Sequence, residues 1–178
     1  MNWFKKISSE KIMFILRGPS GSGKSSLVKN LKQKYPNIKS FSTDDFFTSS
    51  DGKYNFDSKQ ITKAHNWNQQ RVAKELDNNS PYIIIDNTNT KLFELRPYVD
   101  MALKHRYKIE FLEPNWHKEL KTPDGKWNYD FISKQQDNKD RQNMNKSLDK
   151  NIVKKMIDNY DYNPTIDNIL KSKAPWEK

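Results

Sequence analysis

The sequence predicts an α/β fold in which a parallel sheet is flanked by helices. Apolar runs typical of buried strands alternate along the chain with segments of helical periodicity. A glycine-rich loop separates the first apolar run from the first helical segment. The 178 residues show no internal repeat and no second core, which indicates a single domain over residues 1–178. Its core is expected at about 11–162, with a C-terminal tail at 163–178.

The predicted elements follow from the period of the apolar residues. Four short apolar runs indicate strands, at 12–16, 38–42, 82–86 and 107–113. Apolar residues spaced three or four apart predict helices, at 24–34, 58–77, 91–105, 129–141 and 148–160. Pro97 is expected to kink or bound the third of these helices. The stretch 114–127 breaks both patterns and is predicted to be a loop or insertion.

Composition limits the classes of partner and of site. The net charge of +10 favours a polyanion such as nucleic acid, although a chain rich in Lys and Asn can be basic for other reasons. The lack of cysteine excludes disulfides and thiolate metal sites. No apolar run is long enough to cross a bilayer, and the N-terminal segment resembles a first strand more than a signal peptide. We therefore expect an intracellular protein, cytoplasmic or nuclear, without a membrane partner.

The loop "GPSGSGKS" at 18–25 matches the phosphate-binding pattern G-x-x-x-x-G-K-[ST] between a strand and a helix. Lys24 is expected to reach the β- and γ-phosphates of ATP or another nucleoside triphosphate, and Ser25 to offer its hydroxyl to Mg²⁺. The residues predicted to bind the nucleotide are Gly18, Pro19, Ser20, Gly21, Ser22, Gly23, Lys24, Ser25 and Ser26. A simple glycine turn is the alternative.

Two adjacent aspartates, Asp44 and Asp45, follow the second predicted strand. Ligands of parallel sheets lie beyond the carboxyl ends of the strands, so this pair is expected beside the phosphate loop. Asp44 or Asp45 can then accept the proton of an attacking hydroxyl, and the other aspartate is expected to point away. An Asx turn or helix cap is the alternative interpretation.

The segment "IIIDNTN" at 83–89 places polar side chains at the end of the third strand. Asp86 is a candidate for the Mg²⁺ shell. Asn87, Thr88 and Asn89 are candidates for substrate binding, with helix capping as the alternative.

Further along the chain, the basic segment 138–147 contains Arg141, the candidate lid arginine that would neutralise the transferring phosphoryl group. A solvated linker between helices is the alternative. Arg17, Arg71 and Arg96 could each be an ordinary surface residue.

The segment "AHNWNQQR" at 64–71 places His65, Asn68 and Arg71 near one helix face. These three residues and Asp45 are candidates for substrate binding. Trp67 could stack on a base, but the core is the favoured position for it.

Taken together, the blocks "RGPSGSGKSSL", "STDDFF", "AHNWNQQR" and "IIIDNTNTKLFELRPYVDMA" resemble the P-loop kinase domain of NEDD4-binding protein 2 and its like-proteins. They are more distantly similar to bacteriophage-type polynucleotide 5′-hydroxyl kinases. The resemblance implies a P-loop NTPase fold with a helical lid and phosphorylation of a DNA or RNA 5′-hydroxyl end that depends on ATP and Mg²⁺. It also implies that Asp44 is the general base and that Arg141 is the lid arginine.

The sequence departs from this family in its lid, where "RQNMNK" replaces a pattern like "RNxHGV". The chain is also too short for the phosphatase domain of the phage enzymes, so kinase activity alone is expected. Two other functions remain open at this point. The acceptor could be a small molecule, such as a nucleoside, nucleotide or sugar, or the chain could be a non-catalytic nucleic-acid-binding module gated by ATP.

Overall fold

A computed structural model describes residues 10–177 and contains a four-stranded parallel sheet in the order β2-β3-β1-β4. The strands are β1 (Ile12–Leu16), β2 (Lys39–Phe41), β3 (Tyr82–Ile85) and β4 (Lys108–Leu112). All three strand pairs are parallel. Helices cover the sheet, so the predicted α/β class is confirmed.

Seven α-helices occur in the described part of the chain. They are α1 (Lys24–Lys34), α2 (Ile61–Asp77), α3 (Leu92–Lys104), α4 (Tyr129–Lys134), α5 (Lys139–Asn143), α6 (Lys150–Asp158) and α7 (Ile166–Lys171). Helix α3 continues through Pro97, so a boundary at that proline is wrong. Its buried face, which includes Leu95 and Val99, holds the helix against the sheet despite the missing backbone donor.

The two faces of the sheet form separate apolar layers because side chains alternate along each strand. Met13 and Ile15 of β1 face the layer formed with α2, α3 and α7. Phe14 and Leu16 face the layer that contains Leu31 of α1. The two central strands, β1 and β3, are buried on both sides, as their continuous apolar runs predict, whereas the edge strands β2 and β4 are partly exposed.

A third apolar cluster lies outside the sheet and joins the 114–127 loop to the helices that follow it. Leu120 and Trp127 of the loop are buried with Ile132 of α4 and Val153 of α6. We call residues 129–161, which contain α4, α5 and α6, the helical lid, and this lid has a small core of its own.

The C-terminal tail packs back on the sheet layer, where Ile169 of α7 is fully buried. The prediction of one domain over 1–178 includes residues 1–9 and 178, which lie outside the described residues, and it stays a prediction. Within residues 10–177, none of the helices combines the length and apolarity of a membrane span.

Candidate active site

The carboxyl ends of the strands bring the predicted motifs to one edge of the sheet. The backbone N–H of Gly18 donates to the carbonyl of Thr88 at 2.9 Å, which joins the phosphate loop to the segment after β3. The N–H of Asp86 donates to the carbonyl of Phe41 at 2.9 Å, which joins that segment to the end of β2. Three polar segments that are distant in sequence therefore meet beyond the sheet.

The phosphate loop is held by donors from other parts of the chain. Gly21 and Gly23 have φ of 88° and 96°, a region that favours glycine. A Cβ on Gly23 would also collide with the Trp116 indole, whose Nε1–H donates to the carbonyl of Ser22 at 2.8 Å. The Gln136 amide likewise donates to the carbonyl of Ser20 at 2.9 Å. Sequence reasoning missed both donors.

Lys24 lies across the loop, and its Nζ donates to the carbonyls of Gly18 (2.9 Å) and Pro19 (3.3 Å). Burial lowers the pKa of Lys24 from 10.5 to about 8, although the carboxylates of Asp86 and Asp44 act in the opposite direction. A negatively charged ligand at the loop would favour the charged ammonium.

The two adjacent aspartates have different surroundings. Asp44 is exposed, and its Oδ1 accepts a hydrogen bond from the Tyr54 hydroxyl at 3.2 Å. Asp45 accepts from Arg71 Nη1 at 2.9 Å and also caps the short 3₁₀ turn that begins after Ser42. The capping alternative thus describes Asp45 and not Asp44, and the ion pair with Arg71 occupies the carboxylate that was a candidate for substrate binding.

The carboxylate of Asp44 interacts electrostatically with three other charged groups of the site, Lys24, Arg141 and Asp86. It counteracts the lowering of the pKa of Lys24 and of Arg141, both of which are lowered chiefly by burial. It also contributes, after burial, to raising the pKa of Asp86. These effects place Asp44 within electrostatic reach of the phosphate loop and of the lid.

Arg141 contacts the phosphate loop directly. Its Nη2 donates to Ser20 Oγ at 2.8 Å and to the carbonyl of Lys146 at 2.7 Å. Its Nε is buried without a hydrogen-bond partner. Most of segment 138–147 is exposed, as a solvated linker would be, but Arg141 itself is half-buried and points onto the loop.

Two of the predicted substrate contacts are instead buried in the frame of the site. Asn68 is fully buried and donates to the Tyr98 hydroxyl at 3.1 Å. Asn89 is 2% exposed, has φ of 47°, and donates to the carbonyl of Leu16 at 2.7 Å. Their amides already have internal partners, so both are corrected from substrate-binding to positioning residues.

Other candidates are only partly engaged. The side chain of Asn87 accepts from the N–H of Thr43 at 2.8 Å and is half-buried, as is Thr88. His65 Nδ1 lies 3.4 Å from Thr43 Oγ1, and burial lowers the pKa of His65, which favours the neutral imidazole. Trp67 is half-buried and belongs to none of the three apolar clusters, so the favoured core position is wrong; its ring lies 4.2 Å from the guanidinium of Arg71.

Arg17 is completely buried, so the interpretation of it as an ordinary surface residue is wrong. Its Nε donates to the carbonyl of Asn89 at 3.0 Å, and its Nη2 donates to the carbonyl of Asp161 at 2.6 Å. The guanidinium also lies 4.6 Å from the centre of the Tyr160 ring. Arg17 therefore joins the start of the phosphate loop to the end of the lid, and no pattern in the sequence marks that role.

The match that decides the family covers residues 13–123, which align with the AAA_33 family model, described as an AAA domain. The chain belongs to this AAA domain family. The match spans the phosphate loop, the aspartate pair and the segment after β3, which are the parts of the site on the sheet edge. With its parallel sheet and phosphate loop, the chain is a P-loop kinase-like member of the family.

The AAA domain of this chain is similar in sequence to part of a known human protein. Human NEDD4-binding protein 2 is 44% identical over 108 residues, and the match covers 60% of this chain but 6% of that protein. The predicted resemblance is therefore confirmed for one segment of a much longer relative.

Solved structures share the AAA domain fold. A chain of the Pnkp1/Rnl/Hen1 RNA repair complex has a TM-score of 0.65 and 21% identity, covering 87% of this chain and 45% of that one. A chain from another structure of the Pnkp1/Rnl/Hen1 complex has a TM-score of 0.53 and 21% identity, covering 73% and 40%. This chain spans less than half of either match.

Proposed function

We propose that this chain transfers the γ-phosphate of ATP, or of another nucleoside triphosphate, to the 5′-hydroxyl end of a polynucleotide. The observation that carries the proposal is that the exposed Asp44 carboxylate interacts electrostatically with both Lys24 and Arg141. A candidate proton acceptor is thus within electrostatic reach of two cations that could neutralise a transferring phosphoryl group.

In the proposed reaction, Asp44 accepts the proton of the acceptor hydroxyl as that oxygen forms a bond to the γ-phosphorus. The bond between this phosphorus and the β–γ bridging oxygen breaks, and its electron pair leaves with the nucleoside diphosphate. Lys24 and Arg141 neutralise charge on the phosphoryl oxygens. Arg141 is already turned onto the loop by its bond to Ser20.

The oxygen donors at this edge of the sheet suit Mg²⁺. Ser25 is exposed at the start of α1, and Asp86 follows β3 with its carboxylate in the field of Lys24. One carboxylate and one hydroxyl, with phosphate oxygens and water, form the hard ligand set that this ion prefers. When bound, Mg²⁺ supplies charge neutralisation on the β- and γ-phosphates.

Charge and similarity support a nucleic-acid acceptor. The net charge of +10 favours a polyanion. One structure that shares the fold is titled as an RNA repair complex, and the sequence is distantly similar to bacteriophage-type polynucleotide 5′-hydroxyl kinases. An intracellular location, cytoplasmic or nuclear, belongs to the same proposal, since DNA and RNA ends occur there.

Labelled ATP tests the proposal when it is offered with Mg²⁺ to a 5′-hydroxyl oligonucleotide and, separately, to a panel of nucleosides, nucleotides and sugars. We expect label on the oligonucleotide, and its loss when Asp44→Asn replaces the wild type. Labelling of the small acceptors alone would show that the acceptor is wrong. Oligonucleotide binding that requires ATP but gives no transfer would favour the non-catalytic module.

A further inference from the structure

Five aromatic side chains form a connected surface feature beside Asp44, which we call the aromatic ridge: Phe46, Phe47, Tyr54, Phe56 and Trp67. Ring centroids are 5.6 Å apart for Phe46 and Trp67, and 5.2 Å apart for Phe46 and Phe47. From Phe47, the ridge continues to Phe56 at 5.0 Å and to Tyr54 at 6.4 Å.

The ridge begins at the proposed proton acceptor. The Tyr54 hydroxyl donates to Asp44 Oδ1 at 3.2 Å. Phe46 and Phe47 belong to the same 3₁₀ turn as Asp44. A polynucleotide whose 5′ end lies at Asp44 would therefore contact these rings with its next nucleotides.

The ridge is more exposed than a small apolar core would be. Phe47 is 6% exposed and supports the turn, as a core residue does. Phe56, by contrast, is 54% exposed, and Phe46 and Trp67 are half-buried. Packing against the turn accounts for the buried Phe47 but not for the exposed ring faces of Phe46, Phe56 and Trp67, which need another explanation.

Cations lie over the ridge rings. The guanidinium of Arg71 is 4.2 Å from the centre of the Trp67 ring. Lys63 Nζ is 5.7 Å from that of Phe46, and Lys146 Nζ is 5.7 Å from that of Tyr54. Flat apolar surface interleaved with positive charge complements a ligand that carries both bases and phosphates.

We propose that the aromatic ridge binds the first bases of a single-stranded nucleic acid by stacking, while the nearby cations take its phosphates. The inference rests on the proposed function and makes it more specific, because the acceptor becomes an unpaired 5′ end. In a blunt duplex the terminal bases are paired and stacked on their neighbours, so only a single strand can offer successive base faces to the ridge.

The test compares acceptors and ridge variants. The acceptors are a single strand of roughly ten nucleotides, the same strand in a blunt duplex, and a nucleoside 3′-monophosphate. The variants are Phe56→Ala and Trp67→Ala, with Trp176→Ala as the matched control, since Trp176 is a 77% exposed tryptophan on another part of the surface. Circular dichroism checks that each variant is folded.

We expect the wild type to prefer the single strand. Each ridge variant should lower the ratio of kcat/KM for the single strand to that for the monophosphate about tenfold, the loss of about one stacked base. Trp176→Ala should leave the ratio unchanged. An unchanged ratio in both ridge variants, or equal use of single strand and duplex, would overturn the inference.

Binding without ATP separates this inference from the proposed function. Fluorescence anisotropy of the labelled single strand should show about tenfold weaker binding to Phe56→Ala than to wild type. If that loss occurs while no oligonucleotide is phosphorylated, the ridge stands as a binding site and the proposed kinase reaction is wrong. If phosphorylation occurs and binding by Phe56→Ala is unchanged, the ridge proposal fails and the kinase proposal stands.

Discussion

The buried ammonium of Lys24 should make the stability of the ligand-free protein depend on pH in an unusual direction. Burial lowers the pKa of Lys24 from 10.5 to about 8 in the folded chain, while the unfolded chain keeps the usual value. Between these two values the unfolded chain binds more protons than the folded chain. The free energy of unfolding must therefore rise with pH in this window. Below about pH 8 the ammonium is charged in both states, and its burial lowers the free energy of unfolding.

The size of the effect follows from the two pKa values. The difference between 10.5 and about 8 corresponds to about 3 kcal/mol, at about 1.4 kcal/mol per pKa unit. At pH 10 the lysine of the unfolded chain is still mostly protonated, so the full difference is not yet reached. We expect the free energy of unfolding to rise by about 2 kcal/mol between about pH 7 and about pH 10.

Urea unfolding of the wild type and of Lys24→Met across this pH range measures the effect. Methionine does not titrate, and the groups that the two proteins share cancel in the difference between their free energies of unfolding. We expect the wild type to gain about 2 kcal/mol relative to the variant as the pH rises. A flat or falling difference would refute the buried environment assigned to Lys24.

Three further predictions concern the site. Asp44→Asn should lower turnover about 10²- to 10⁴-fold and keep ATP affinity, whereas Lys24→Ala should lose both turnover and ATP affinity. Initial rates and calorimetric titration with ATP measure the two quantities. Undiminished turnover in Asp44→Asn would remove the proton-acceptor role. Arg141→Lys should lower kcat about 10²-fold, because an ammonium cannot reproduce the guanidinium contacts; a rate near that of the wild type would contradict its role in transfer. Arg17→Met should destabilise the fold by about 3 kcal/mol, since it leaves the carbonyls of Asn89 and Asp161 without their donor; an unchanged urea midpoint would contradict this.

Local patterns were enough to predict most of the elements. The apolar run of β1, the glycine loop and the periodicity of α1 are all properties of neighbouring residues, and their order along the chain is what the structure shows. The spatial order β2-β3-β1-β4 is different in kind, because it depends on which strands pair across long sequence separations. Pro97 shows the same limit, since burial of its helix outweighs a local helix-breaking preference.

The site divides in a similar way. Lys24, the pair Asp44 and Asp45, and Asp86 could be selected because each follows a strand in a recognisable motif. The burial of Asn68 and Asn89 could not be predicted, since both are polar and their partners, Tyr98 and Leu16, lie far away in sequence.

The sequence by itself determined the fold class, the phosphate loop and the pair of aspartates, because these depend on residue type and short spacing. Only the tertiary structure decided which aspartate caps a turn and which stays open, and that Arg17 is buried between the loop and the lid. The physical reason is that burial and charge pairing are set by residues brought together through space, such as Arg71 with Asp45 and Asp161 with Arg17. Local spacing carries no record of these partners.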